Sequence, residues 1–494
     1  MKKLIICLLT VLMCFSLFGC SSNDTTNKDE NEPITLTFEI STLFIVPALE
    51  ATQKVEDEIN RYLSEDLGEN GYKIHLKVTS IGDYLTSVPM ELAGGNDDCP
   101  DIYQVFTMAS DVENGYCIAL DDYLGNELKD TVNLIGNVIG SGKMSGQTYM
   151  IPRYFGTVLD WKWIYNKEYA DKAGIDKTQI TDIDSLELAC EKMKEVFPDD
   201  YFIVYTNQFP NIYRLSTHTS VIGTFGATVG EDSTIVNYYE TDAYKDAINK
   251  AYEFRQKGYA DPEGSNNTAS HDTVVMSGAS KGVIMGHSAD CEAIGKMFTK
   301  TNTYGAEFDA VSIGIDDLAT DTLGVGISYK CKDPSAAARF INLLYTDEYV
   351  WDTLIYGVEG ESYVWNEDKT AVNYPDGLDF NTIPYNLIYS CGMIGNGFQG
   401  LVFETDSESG SDSEYGMKLM QSAWCPPLYG FVPTTTNILN EIAAVTNVVE
   451  QYDTVLTYGD VDPSVEYPKF LAALKEAGID KIIEEYNTQA KDFK

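Results

Sequence analysis

The chain has 494 residues, 44% hydrophobic and 22% charged, a globular composition long enough for two or more domains with full cores. Asp and Glu number 76 against 34 Lys and Arg, a formal net charge of -42. Such an excess repels phosphate backbones and anionic lipid surfaces, so it excludes nucleic-acid partners; it serves solubility without identifying a ligand.

Lys2 and Lys3 precede an apolar run from Leu4 to Gly19, broken only by Thr10 and Ser16. The run is shorter than the ~20 residues of a membrane-spanning helix and has the form of a signal peptide, residues 1–19, with an uncleaved anchor as the alternative. Its end, Leu17-Phe18-Gly19-Cys20, resembles a bacterial lipobox, in which the Cys is diacylated and becomes the mature N-terminus; Phe18 stands where that pattern carries a small residue. The resemblance implies lipidation at Cys20 and a body on the extracellular face of the cell membrane. No other segment is long and apolar enough to span a bilayer. Residues 20–32 are a polar tether that cannot help to build a core.

Ile34 to Ile40 alternates apolar and polar residues as a first strand does, and 47–67 reads as a helix stopped by Gly68. Tyr72 to Thr79 returns to strand alternation, and Asp101 to Phe106 is a compact strand behind Pro100. This β-α-β-α-β order predicts a parallel sheet covered by helices. A second unit opens near Tyr154. It holds predicted helices at 169–174, 186–197 and 242–258 and a strand at 201–205. Gly282 to Met285 and Ala310 to Ile315 read as short buried strands assigned to the first sheet. Asp333 is an N-cap before Pro334 for a helix to about Tyr345. Ser407 to Ser413 reads as a surface loop, and two apolar stripes, 438–456 and 467–486, make the C-terminal end helical.

Beyond Cys20, seven cysteines remain, Cys99, Cys117, Cys190, Cys291, Cys331, Cys391 and Cys425. They are widely spaced, odd in number and without CxxC, which points away from a disulfide framework. His75, His218, His271 and His287 have no metal-ligand spacing, so neither a metal nor a cofactor is expected.

Gly146–Pro152 (GQTYMIP), Ile164–Tyr169 (IYNKEY) with Ala173-Gly174-Ile175, and Lys281–His287 (KGVIMGH) resemble, in order, segments of the extracellular solute-binding proteins of family 1, receptors of sugar-type ABC importers. The tail resembles a C-terminal domain of unknown function in one lipoprotein branch, through segments such as Pro427–Phe431 (PLYGF), Glu441–Val445 (EIAAV) and Leu474–Asp480 (LKEAGID). The resemblance implies an α/β, two-lobed periplasmic-binding-protein-like fold of type II, with a hinge and a helical C-terminal region. On this reading lobe 1 is 33–155 plus 270–328, lobe 2 is 156–269 plus 329–430, and 431–494 is a helical region packed on the lobes. It further implies capture of a ligand, an oligosaccharide by family weight, and partnership with ABC permease subunits.

A sugar presents C–H faces and hydroxyls, so its site needs flat aromatics and polar forks. Trp161 and Trp163 lie two apart at the expected lobe crossing and share a strand face, with burial in a core as the alternative. Trp424 precedes the rigid Cys425-Pro426-Pro427 bend, which presents its ring to the cleft, with packing under the helices as the alternative. Glu359 and Tyr363 lie in a loop after a predicted helix end, where Glu359 either accepts ligand hydroxyls or belongs to a solvated turn, and Asn396 and Phe398 lie in a Gly-rich bend. Ser41, Thr42 and Asp101 are placed at the carboxyl ends of first-lobe strands, where open α/β sheets bind ligands. Arg153 follows Pro152 and serves either the ligand or one of the many carboxylates.

No GxSxG, HExxH or P-loop occurs, and with 76 acidic residues a pair at glycosidase distance carries no information. A binding protein rather than an enzyme is expected. A lipid-anchored glycoside hydrolase and a non-transport glycan receptor are the alternatives.

Overall fold

The computed structural model describes residues 32–43, 45–96, 98–204, 208–390, 392–401, 403, 413–491 and 493. Cys20, the signal segment, the tether before Glu32 and residues 407–412 of the expected surface loop lie outside the described residues.

The first lobe begins with β1 (Ile34–Thr42), α1 (Leu49–Glu65), β2 (Tyr72–Ser80), α2 (Ile81–Gly94) and β3 (Ile102–Val105). β1 pairs in parallel with β2 from Ile34↔Tyr72 to Thr42↔Ser80, and with β3 on its other side. The alternation in β1 buries Leu36, Phe38 and Ile40 against the helices. Ser80 caps α2 by accepting the Asp83 N–H. A short strand, β4 (Ile151–Pro152), ends the chain's first pass through this lobe.

The chain crosses at 153–160 and enters the second lobe with β5 (Asp160–Asn166), whose seven residues are all buried. There follow α3 (Ile183–Val196), α4 (Phe209–Thr217), the antiparallel ribbon β6 (Thr219–Ile222), β7 (Gly226–Val229) and β8 (Asp232–Asn237), and then α5 (Asp242–Gln256). Instead of the strand expected at 201–205, Ile203 makes an isolated bridge to Ala260, and Tyr205 lies outside the described residues. β9 (Gly282–His287) and β10 (Phe308–Ile315) flank β5, both antiparallel to it. This corrects their expected place in the first sheet: Gly282↔Tyr165 and Ala310↔Ile164 are registered partners in a separate three-stranded sheet.

The chain recrosses at 316–323 and inserts β11 (Gly324–Ile327) between β3 and β4, antiparallel to both, giving the order β2-β1-β3-β11-β4. α6 (Pro334–Thr346) and α7 (Glu348–Tyr356) then bury Phe340, Ile341, Leu344, Trp351 and Leu354 in the same core as Phe38 and Ile102. The expected boundaries are therefore corrected twice. Residues 270–315 belong to the second lobe, not the first, because β9 and β10 pair with β5. The α6–α7 stretch belongs to the first lobe, not the second, because its apolar faces cover the first sheet. A hairpin, β12 (Val364–Trp365) with β13 (Val372–Asn373), and α8 (Ser413–Ser422) also lie on this lobe.

After a third crossing at 423–430 come α9 (Leu439–Thr457), α10 (Pro463–Ala477) and α11 (Ile479–Ala490). Their core of Val445, Phe470, Leu474 and Tyr486 is shared with Ile222, Phe225, Ile235 and Tyr244, so the helical region packs on the ribbon and α5 of the second lobe. Among the described residues, Cys99, Cys117, Cys190, Cys291, Cys331 and Cys425 are free. No described helix is long and apolar enough to cross a membrane.

Candidate functional site

The three crossings meet in one seam. Asp316 N donates to Leu159 O at 2.9 Å and Leu318 N to Trp424 O at 2.8 Å, so each strand of the crossing hydrogen-bonds the next. Beside them a cavity of about 320 Å³ is bounded by Arg214, Asp316, Asp317, Thr320 and Tyr429, at the low end of the size range of small-molecule sites.

Asp160 and Lys162 are fully buried and paired at 2.7 Å. Lys162 Nζ also donates to the carbonyls of Asp160 and His287, both at 3.2 Å. Asp160 further accepts from Ser312 Oγ at 2.5 Å and from the Tyr415 hydroxyl at 2.7 Å. A buried ion pair persists only when its remaining hydrogen-bonding sites are filled in this way. Tyr415 is carried by α8, so this network joins the two lobes. Gly416 allows close approach: a Cβ there would fall 2.6 Å from the Phe398 ring and 3.4 Å from Ser288 O of the second lobe.

The two tryptophans of β5 occupy different places from those expected. Trp163 is fully buried, donates its indole N–H to Phe202 O at 3.0 Å and stacks on Tyr165 at 4.4 Å. It is a core residue of the second lobe, which corrects its assignment to the ligand. The face it shares with Trp161 is the one β5 turns to that core. Trp161, 6% exposed, donates to Asp316 Oδ1 at 2.8 Å and so braces the crossing. Burial pushes the carboxyl of Asp316 up, opposed by that indole hydrogen bond and by Arg214. Trp424 is half-buried at the third crossing, with its ring 4.4 Å from that of His218. His218 meets Asp317 at 2.9 Å; burial pushes the Asp317 carboxyl up and the imidazole opposes this.

Arg153 pairs with Asp321 and donates to Gly392 O at 2.5 Å, so it holds the two crossings and the Gly-rich bend together. In that bend Asn396 is buried and structural: its N–H donates to Leu344 O and its side chain to Tyr345 O, and it accepts from Phe398 N. Phe398 is 6% exposed and packs on Tyr154 and Phe155. The glycines of the bend admit Phe155, whose ring a Cβ at Gly397 would meet at 2.7 Å and one at Gly392 at 3.1 Å. Phe155 itself is half-buried at the carboxyl edge of the first sheet, just past β4. It was not among the expected residues; its signal was its place three residues after Pro152, at the crossing.

Ser41 and Thr42 do end β1 at that edge, and both are buried. Ser41 contacts Gln104 Oε1 through N at 3.1 Å and Oγ at 2.7 Å, and its carbonyl accepts from Ser390 Oγ at 3.0 Å. Asp101 is corrected: it precedes β3 and so lies at the opposite, amino edge. There it accepts from Thr37 N at 2.8 Å, Lys332 N at 2.8 Å and Lys332 Nζ at 3.2 Å. Glu359 is exposed and Tyr363 buried, and the two are joined by an isolated bridge beside β12.

Along the seam lie the half-buried rings of Phe155, Tyr415, Trp424 and Tyr429, with nearby carboxylates already engaged by neighbouring side chains. Such a surface suits a polar ligand with apolar faces. Among the described residues there is no cluster of His, Cys, Asp or Glu fit to hold a metal ion.

Residues 53–351 match the bacterial extracellular solute-binding protein family, and 427–494 match a domain of unknown function, DUF3502. A carbohydrate ABC transporter substrate-binding protein of Streptococcus pneumoniae is 22% identical over 454 residues, covering 88% of this chain and 86% of that protein. Among solved structures, the N-glycan transport solute-binding protein NgtS of S. pneumoniae superposes with a TM-score of 0.68 at 20% identity, covering 93% of this chain and 99% of that one. An HMO-binding solute-binding protein of Bifidobacterium longum infantis gives 0.59 at 15% identity, covering 93% and 99%.

Proposed function

Since the chain belongs to the bacterial extracellular solute-binding protein family, matched over 53–351, we propose that it captures an oligosaccharide between its two lobes and delivers it to the permease of an ABC importer. The observation that carries this reading is the seam: three crossings converge on half-buried rings at the carboxyl edge of the first sheet, where open α/β sheets take ligands. Crossings hydrogen-bonded side by side let the lobes rotate about one line and close on what lies between them. The carbohydrate names of the relatives support the ligand class. A lipid on Cys20 would hold the body at the extracellular face of the membrane.

The acidic groups of the crossing support binding rather than hydrolysis. Asp316, Asp317 and Asp321 face Trp161, His218 and Arg153 respectively, and Asp160 faces Lys162 on its own strand and Tyr415 of α8, so each is already engaged by a neighbouring side chain.

The test is a thermal-shift screen of residues 33–494 against a glycan panel that includes Man5GlcNAc. A ligand held only by the folded state raises the melting temperature by mass action. The expected result is a saturable rise with at least one oligosaccharide, which is recovered intact after incubation. A flat response across the panel, or steady cleavage, refutes the reading.

A further inference from the structure

Residues 352–426 lie between the two matched stretches, and they carry a small aromatic body of their own. Tyr363, Val372, Leu401 and Phe403 form a separate buried cluster, with Tyr356, Trp365 and Tyr374 packed half-exposed around it. The rings are arranged as a patch: Tyr374 lies 4.7 Å from Phe403, and Tyr363 meets Trp365 edge to face at 6.3 Å. The hairpin β12–β13 supports it, with Val372 bridged to Phe403.

This body is tied to the ligand edge of the first lobe. Lys54, in the second turn of α1 just after β1, pairs with Glu361 at 2.9 Å. Ile388 packs on both the aromatic cluster and the main core of the lobe. Two residues on, Ser390 donates to Ser41 O at the carboxyl end of β1, and Gly392 then meets Arg153 and Phe155 at the seam. The half-exposed rings are thus one short segment removed from the proposed site.

We propose that this hairpin body is an outer subsite, in which Trp365 and Tyr374 receive the distal sugars of an oligosaccharide whose inner sugars lie at the seam. The inference rests on the carbohydrate reading above. Flat rings stack on the C–H faces of any sugar, so such a patch adds affinity with chain length rather than selecting one linkage. On this proposal a disaccharide held at the seam stops short of the patch.

The experiment titrates the parent, Trp365→Ala and Trp365→Leu calorimetrically with Man1GlcNAc and with Man5GlcNAc. Leucine keeps apolar packing on Tyr363 while removing the flat face, so it stands in if the alanine variant unfolds. The parent is expected to bind Man5GlcNAc more tightly than Man1GlcNAc. Both variants should lose at least about threefold for Man5GlcNAc and retain the parent's affinity for Man1GlcNAc. Equal losses for both glycans, or none for either, overturn the outer subsite and leave the carbohydrate reading standing. A parent that binds neither glycan and no member of the wider panel overturns both.

Discussion

The Tyr415 hydroxyl donates to Asp160 Oδ2 at 2.7 Å, tying a helix of the first lobe to the opening strand of the second. Asp160 is fully buried and also faces Lys162, so the joint is an ion pair enclosed by both lobes. A rotation of one lobe on the other must carry this network intact or exchange its partners. A buried charge left unpaired costs several kcal/mol, so the network favours a small set of lobe arrangements over a continuum.

Lys162→Met leaves Asp160 buried without its cation. Its unfolding free energy should fall by about 3–5 kcal/mol in urea titrations. The double variant Asp160→Leu/Lys162→Met should recover much of that loss, because both charges are then gone. A single variant as stable as the parent would show that water reaches the pair.

Trp163 and Phe155 should separate stability from binding. Trp163→Ala empties a fully buried site and should cost about 3–5 kcal/mol of stability. Phe155→Ala, at a half-buried ring, should fold with a circular dichroism spectrum like the parent's. It should bind the glycan found by thermal shift at least about tenfold more weakly, through lost stacking and lost apolar burial. Unchanged calorimetric affinity for Phe155→Ala would remove that ring from the site.

Glu39 should make stability depend on pH. Its carboxyl lies under α2, fully buried, 3.0 Å from Lys77, which is in turn 2.6 Å from Glu91. Burial pushes it up from 4.5 to about 7, against the pull of Lys77. The folded chain keeps a proton that the unfolded chain releases above about 4.5. This group's contribution is therefore complete below that pH and is lost as pH rises through about 7. Burial raises Asp352 from 3.8 to about 7 as well, with the same sign. The parent should melt at a higher temperature at pH 5 than at pH 8. Glu39→Gln should melt higher than the parent at pH 8 and show a smaller difference between the two. A melting temperature that rises with pH, or a variant with the parent's slope, contradicts this.

Cys20→Ala tests the anchor. Fractionation should find the variant in the medium or as an unprocessed precursor. Normal processing with full membrane retention would show that the lipid is not what holds the protein.

Much of the architecture was legible because local rules act locally. The strand alternation of 34–40, the Asp333-Pro334 start of α6 and the two apolar stripes of the tail all carry their structure in residue order, and the ordered family segments supplied the two-lobed plan. Composition alone set the charge of -42 and its consequence for partners. Sheet membership was a different matter. Gly282–Met285 and Ala310–Ile315 are short apolar runs, and such a run states that a strand is buried without naming its partner. Their pairing with β5 is decided by the crossing at 153–160, a tertiary event. The same holds for the rings. Spacing puts Trp161 and Trp163 on one strand face, but whether that face meets a core or a cleft depends on α3, α4 and α5 closing over it. Phe155, three residues past Pro152, packs against Phe398 and the glycines at 392 and 397, contacts from a distant stretch of chain that its own neighbourhood in sequence does not announce, and it stays half-buried. Periodicity fixes which side chains point together; packing across the chain decides what they point at.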